Sequence, residues 1–305
     1  VNTAHFNQAC QTIVERHAIL RTGYYQQNGV LYQRIHENID WQVSLKNIAM
    51  NDVDNAINEE LNTPFDLSQP HPMRCALFTL NNNEHIASFT VHHIAADGWS
   101  LGIFVEELIA HYAALENKTN ALLMPLERQY ADFATWQISE QQRVKNQQQI
   151  QYWQQQLADH QTLDLPLKKP RNLENNTLAA FTHRSIDAAA IQQFNKRYNT
   201  TLFISLMAIF SSLLQRYSQQ DDFCIGTPVA GRPSSTLENV IGCFINVLAI
   251  RCNPKPTQRF SDYLAALKLS CNEALQHQDV PFEQVVNALN LPRDLSMTPL
   301  FQVML

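Results

Sequence analysis

The feature that most constrains this chain is an apolar run that stops at a polar motif and restarts as a helix. Ile86-Ala87-Ser88-Phe89-Thr90-Val91 is dominated by β-branched and aromatic residues and reads as a strand. His92-His93-Ile94-Ala95-Ala96-Asp97-Gly98 follows at once, and helical spacing resumes over residues 98–115. Neighbouring side chains on a strand face opposite ways, so His92 and His93 cannot enter one cavity together. One is expected to be held by the scaffold and the other left to act. Gly98 is expected in a tight turn where a side chain would clash.

Strands and helices mix along the whole chain, with no internal repeat by residue identity. Residues 4–20 form an amphipathic helix, residues 23–36 a hairpin turning at Asn28-Gly29, and residues 51–61 a helix capped by Asn51. Residues 73–80 and 85–92 pair as a hairpin across Asn81-Asn82-Asn83. Leu101, Phe104, Leu108 and Tyr112 define the buried face of the helix over 98–115. Residues 140–157 make another helix, with a polar exterior. Prolines, charges and asparagines over 163–176 mark a linker between a lobe at 1–162 and a lobe at 177–305. Beyond it come a strand at 179–186, a helix capped by Asp187, an apolar helix at 201–217 and strands at 223–229 and 244–251. Helices at 261–277 and 282–289 and a strand at 300–305 complete the series. The fold class is α/β, of the mixed α+β kind, in two similar-sized lobes.

A chain of 305 residues, 45% hydrophobic and 16% charged, is long enough for both lobes to hold a core. Its net charge of −6 argues against nucleic-acid and anionic-membrane partners. No apolar run approaches the ~18 residues of a membrane span. Six scattered cysteines without a C-x-x-C pair point to buried thiols in a reducing, cytoplasmic setting. No third ligand accompanies His93 and Asp97, which argues against a metal site. Abundant glutamine and asparagine read as compositional bias.

Further motifs surround the histidines. Arg16-His17-Ala18-Ile19-Leu20-Arg21-Thr22 closes the first helix, where cations complement the helix C-terminus. Tyr130-Ala131-Asp132-Phe133-Ala134-Thr135-Trp136 reads as an aromatic anchor. Gly226-Thr227-Pro228-Val229-Ala230-Gly231-Arg232 leads into Ile241-Gly242-Cys243-Phe244-Ile245-Asn246-Val247-Leu248. There Asn246 needs partners if buried. His277-Gln278-Asp279-Val280-Pro281-Phe282-Glu283 and Arg293-Asp294-Leu295-Ser296-Met297-Thr298-Pro299-Leu300 read as a helix-starting turn and a capped loop.

In this order the motifs resemble those of the condensation domains of nonribosomal peptide synthetases, more distantly related to chloramphenicol acetyltransferase. The resemblance covers the whole chain. It implies two chloramphenicol acetyltransferase-like lobes in a V, with a tunnel between them. It also implies a chain truncated at both ends, because the family's opening motif, near Ser-x-x-Gln-x-Arg-x-Trp, would precede residue 1 and the family continues after Leu305. The implied reaction joins an upstream carrier-bound acyl, aminoacyl or peptidyl thioester to the amine of a downstream carrier-bound aminoacyl thioester. The implied partners are those two carrier proteins and an adenylation domain in the same polypeptide. No cofactor is bound by the chain itself, since phosphopantetheine arms deliver the substrates.

The same resemblance assigns His93 as catalytic residue, and His92, Asp97, Gly98 and Arg16 as its structural support, with Arg16 paired to Asp97 and Arg21 a second candidate. Trp99, Ser100 and Asn246 would line the tunnel. An intact Asp97-Gly98 favours condensation over epimerization, and the paired histidines exclude heterocyclization. An ester-forming relative and a non-catalytic, partner-recruiting domain remain as alternatives.

Overall fold

The computed structural model of the protein describes residues 1–80, 84–166, 181–185, 187–291 and 297–305. The chain divides into two compact units. The first is Val1–Ser139 with Arg232–Phe244, and the second is Glu140–Gly231 with Ile245–Leu305. The sequence places its boundary at 163–176 instead. Residues 140–163 belong with the second unit because Trp153, Leu157 and Leu163 are buried in its core. Residues 167–176 of the expected linker, the turn at 81–83, the ends of the expected strand at 179–186 and residues 293–296 of the last motif lie outside the described residues. Residues 181–185 form no strand.

In the first unit, α1 (Thr3–Arg16) starts on Asn2, whose side chain accepts from the Ala4 and His5 N–H groups. β1 (Thr22–Gln27) and β2 (Val30–Ile35) pair antiparallel, turning at Asn28 and Gly29, both with positive φ as a two-residue hairpin loop requires. The helix expected from Asn51 is α2 (Val53–Asn62). Its N-cap is Asp52, and a short 3₁₀ turn over Met50–Asp52 takes up Asn51. β3 (Ser44–Asn47) runs parallel to β4 (Met73–Thr79), which pairs antiparallel with β5 (His85–Val91). β5 ends at Val91, so both histidines lie in the following turn and the strand-alternation argument does not govern them.

α3 (Gly98–Glu116) follows, capped by Asp97. Its buried face is Ser100, Ile103, Phe104, Glu107 and Leu108, whereas Leu101, expected inside, is exposed. Phe6, Ile13, Leu20, Trp41, Leu77 and Phe104 build the core of this unit together with Ile241. The short helix α4 (Tyr130–Gln137) packs Phe133 against Leu237, Val240 and Phe244. Residues 232–244, far along the chain, are therefore integral to the first unit.

In the second unit, β6 (Phe223–Val229) is central. β7 (Asn246–Cys252) lies antiparallel on one side and β8 (Phe301–Met304) parallel on the other. The helices are α5 (Glu140–Gln156), α6 (Ala188–Tyr198), α7 (Leu202–Ser218), α8 (Phe260–Gln276) and α9 (Phe282–Ala288). Met207, Phe223, Ile225, Leu248 and Leu264 are among the core. Asp187 and Thr201 cap α6 and α7.

α5 shows what the amides do. Its buried stripe is Gln142, Asn146, Gln149 and Trp153, at helical spacing but mostly not apolar. Gln149 Oε1 accepts the N–H groups of Asp279 and Val280, both at 3.1 Å, and Trp153 Nε1 donates to the His277 carbonyl at 3.0 Å. The Gln149 amide and the Trp153 indole thus satisfy backbone groups of the turn before α9, while Gln142 donates to Asn146 and Asn146 to Gln284. Reading them as compositional bias missed this.

Truncating Met207, fully buried, to Ala is expected to cost about 2–5 kcal/mol in denaturant unfolding. Leu122→Ala, at a side chain 98% exposed, is expected to shift stability by less than about 0.5 kcal/mol.

Candidate active site

The two histidines separate as soon as β5 ends. The His92 N–H extends the pairing to the Pro72 carbonyl at 2.8 Å. Its ring nitrogen Nδ1 accepts the Ile94 N–H at 3.1 Å, and its ring meets Phe65 edge-on at 6.0 Å. His92 is therefore held by the scaffold. His93 is exposed, and its Nδ1 lies 3.6 Å from Cys243 Sγ.

The loop is anchored by Asp97, 4% exposed. Oδ1 accepts the Ser100 N–H at 2.8 Å and an Arg232 N–H at 3.3 Å, and Oδ2 accepts the Phe244 N–H at 3.0 Å. The Asp97 N–H donates to the Gly242 carbonyl at 3.2 Å. Ser100 Oγ stands 2.8 Å from both Asp97 Oδ1 and the Gly242 carbonyl oxygen, so its single proton serves one of them. It accepts from the Gly242 N–H at 3.0 Å and from Arg232 at 3.1 Å. Arg232 also donates to the Leu237 and Val240 carbonyls and lies 4.0 Å over the Phe244 ring. Its side chain is 3% exposed. Burial lowers its pKa, with Asp97 opposing that shift.

Arg16 does not pair with Asp97. It donates from Nε to Glu107 at 2.9 Å and to the Met124 carbonyl. Glu107 is ten residues beyond Asp97 on α3, about 15 Å along the axis, and α1 presents Arg16 at that level. Asp97 takes Arg232 instead. Arg21, the second candidate, donates to the His36 carbonyl at 2.6 Å. His17, fully buried, bridges Glu107 Oε2 at 3.0 Å and the Ile241 N–H at 3.3 Å. With Nδ1 accepting from that N–H, the proton sits on Nε2 and faces the carboxylate.

Three further expectations change. Gly98 is the first residue of α3 rather than a crowded turn, and a Cβ there would meet nothing within 4 Å. Ser100, expected to line a passage, is fully buried in the Asp97 network. Asn246, expected to line it too, donates to the Gln278 and Val280 carbonyls, each at 2.8 Å, and accepts the Phe282 N–H at 3.1 Å. Its amide thus fastens β7 to the turn before α9. Trp99 is half exposed, its indole N–H donating to the Glu238 carbonyl at 2.9 Å. Sequence alone assigns no role to Arg232 or Cys243. The first is visible only as the last residue of a quoted loop, and the second occupies a position the motif leaves open. Among the described residues, no group of three or more His, Cys, Asp or Glu could hold a metal ion, and no helix is long and apolar enough to cross a membrane.

The family model of the condensation domain matches residues 1–305. Bacitracin synthase 1 from Bacillus licheniformis is 34% identical over 304 residues, covering 98% of this chain and 6% of that protein. The bassianolide nonribosomal cyclodepsipeptide synthetase of Beauveria bassiana is 36% identical, over 97% of this chain and 10% of its own length. The X-domain from teicoplanin biosynthesis superposes with a TM-score of 0.89 at 30% identity, covering 100% of this chain and 70% of that one, and its complex with OxyB has also been solved. The chain belongs to the condensation-domain family of nonribosomal peptide synthetases, and its fold is the mixed α/β, chloramphenicol acetyltransferase-like one. It spans a small fraction, 6% to 10%, of these two curated relatives.

Burial raises the pKa of Glu107, but the His17 and Arg16 contacts more than offset it, leaving the carboxyl below its ordinary 4.5. A depressed carboxyl stabilises the fold above its unfolded-state pKa and loses that contribution as pH falls through the folded one. Stability measured by urea unfolding is expected to fall below about pH 4.5, with a shallower dependence in Glu107→Gln.

Proposed function

We propose that this chain forms an amide bond between a carrier-bound acyl or aminoacyl thioester and the amine of a second carrier-bound aminoacyl thioester. The observation that carries this reading is His93 itself. It is an exposed imidazole on a loop whose neighbours are fixed by a buried hydrogen-bonded network.

The chemistry asks little of the protein. A thioester is already activated, and an amine with a reference pKa near ~8 is partly neutral at pH 7. Holding the two reactants in line can supply about 7–11 kcal/mol of the barrier. The amine must then lose a proton as the C–N bond forms and the thiolate leaves. With Nδ1 turned to Cys243, Nε2 is the nitrogen of His93 that takes this proton. His92 and Asp97 position the loop, and Arg232 and Ser100 position Asp97. Gly98 begins α3, and a Cβ there would meet nothing within 4 Å, so the space at the helix start is open to a substrate.

A second reading, a domain that recruits a partner protein, is favoured by the teicoplanin X-domain and its complex with OxyB. Ester formation is favoured by likeness to the cyclodepsipeptide synthetase. Retention of His93 and its anchored loop supports a catalytic role. Replacing the downstream amine by a hydroxyl acceptor separates amide from ester formation.

With loaded carrier proteins, His93→Ala is expected to lower amide formation by about 10²–10⁴-fold at unchanged melting temperature. An unchanged rate would remove His93 from the mechanism, whereas a wild-type chain that forms no amide would return it to the recruiting reading. Gly98→Ala should leave stability equal or slightly raised, because alanine suits a helix better than glycine, while amide formation falls.

A further inference from the structure

Five of the six cysteines, Cys10, Cys75, Cys224, Cys252 and Cys271, are buried. Burial pushes the thiols of Cys224 and Cys271 up to about 12 and about 11, which keeps them neutral and unreactive. Cys243 is placed differently. It is only half-buried, and its Sγ is 3.6 Å from Nδ1 of the exposed His93.

The pair is held from both sides. Gly242 and Phe244, which flank the cysteine, are hydrogen-bonded to Ser100 and Asp97. The Cys243 carbonyl accepts the Tyr130 hydroxyl at 3.0 Å. Arg232 fixes the same segment through the Leu237 and Val240 carbonyls. The thiol and imidazole therefore face each other on a braced frame. Nearby, the Tyr24 hydroxyl is buried with no hydrogen-bond partner among the described residues. Burial raises its pKa, and Tyr130 and Cys243 raise it further, which places the thiol within electrostatic reach of an unused O–H donor.

We infer that Cys243 is a protein nucleophile of this site, one that takes an acyl group from a pantetheine thioester with His93 as its base. The inference rests on the reading of His93 as the thioester-facing group, and goes beyond it in assigning a covalent acyl-enzyme. Cys243 gives its S–H proton to His93 Nδ1, and Sγ attacks the thioester carbonyl carbon. The new C–S bond forms and the bond to the pantetheine sulfur breaks. The imidazolium returns the proton to the departing thiolate, which leaves as a thiol. One thioester is exchanged for another, so no oxidant or reductant enters. This step needs Nδ1 unprotonated at the start, whereas proton uptake at Nε2 from an amine needs the other tautomer. Acyl capture and amide formation therefore compete for the same ring.

The test is to incubate the chain with acetyl-pantetheine and read intact mass, followed by peptide mapping. The expected result is a single added acetyl group on Cys243, removed by hydroxylamine and absent in Cys243→Ala. It should form on the order of 10²-fold more slowly in His93→Gln. A wild-type protein that stays unacylated, whether or not iodoacetamide labels Cys243, overturns the inference. So does an adduct that maps elsewhere, or one that forms equally fast in His93→Gln. The wild-type result does not depend on any variant folding. Amide formation on loaded carriers is read separately. If it persists while no acetyl-Cys243 appears, this inference fails alone. If an acetyl adduct forms without any amide product, the condensation reading fails and the thiol chemistry stands.

Discussion

A single buried carboxylate organises the first unit. Asp97 is 4% exposed and gathers the Ser100 and Phe244 N–H groups and the Arg232 guanidinium. A carboxylate so deeply buried is tolerable only if its charge and lone pairs are matched, because removing one partner of a buried ion pair typically costs about 3–5 kcal/mol. Here the match comes from two stretches about 140 positions apart in the chain. The start of α3 supplies one donor, and residues 232–244 supply the others. Each stretch is ordered by the other, and the turn that carries His93 is fixed as a consequence.

Around this hub the remaining polar groups act as fasteners. His17 and Glu107 repeat the arrangement two turns and more along α3, again reaching residues 232–244 through the Ile241 N–H. Tyr130 packs on Gly242, where any Cβ would strike its ring. His92, though adjacent to His93, bonds the backbone of its own turn. The outcome is a division of labour between neighbours: one imidazole stiffens the loop and the other meets solvent on it. In the second unit, Asn246 and Gln149 do comparable work by satisfying backbone groups between His277 and Phe282.

What the sequence disclosed follows from what kind of burial it was. β4, β5, β6 and α7 are legible because apolar and β-branched residues form their buried faces, and the Asn28-Gly29 hairpin because its turn demands positive φ. α5 is legible as a helix, yet its buried face is hidden, since Gln142, Asn146 and Gln149 look like solvent-facing residues until their partners are seen, amide side chains for the first two and the Asp279 and Val280 N–H groups for Gln149. Leu101 fails in the opposite sense, as an apolar residue at plausible spacing that ends up outside. The resemblance marked Asp97 and Arg16 as a pair. It could not say which arginine meets which acid, because that depends on the level at which α1 crosses α3. Arg232 emerges only when residues 232–244 are seen packed into the first unit. Gly98 illustrates a different limit: nothing in the chain's own packing requires it to be glycine.

The most direct test of this account is a double-mutant cycle on Asp97→Asn and Arg232→Met, read by denaturant unfolding and by the rate of amide formation. If the pair anchors the loop, the two effects are strongly non-additive, with a coupling energy of about 1–3 kcal/mol and a double variant scarcely slower than either single one. Additive losses in both readouts would contradict it, leaving the His93 loop without the anchor assigned to it.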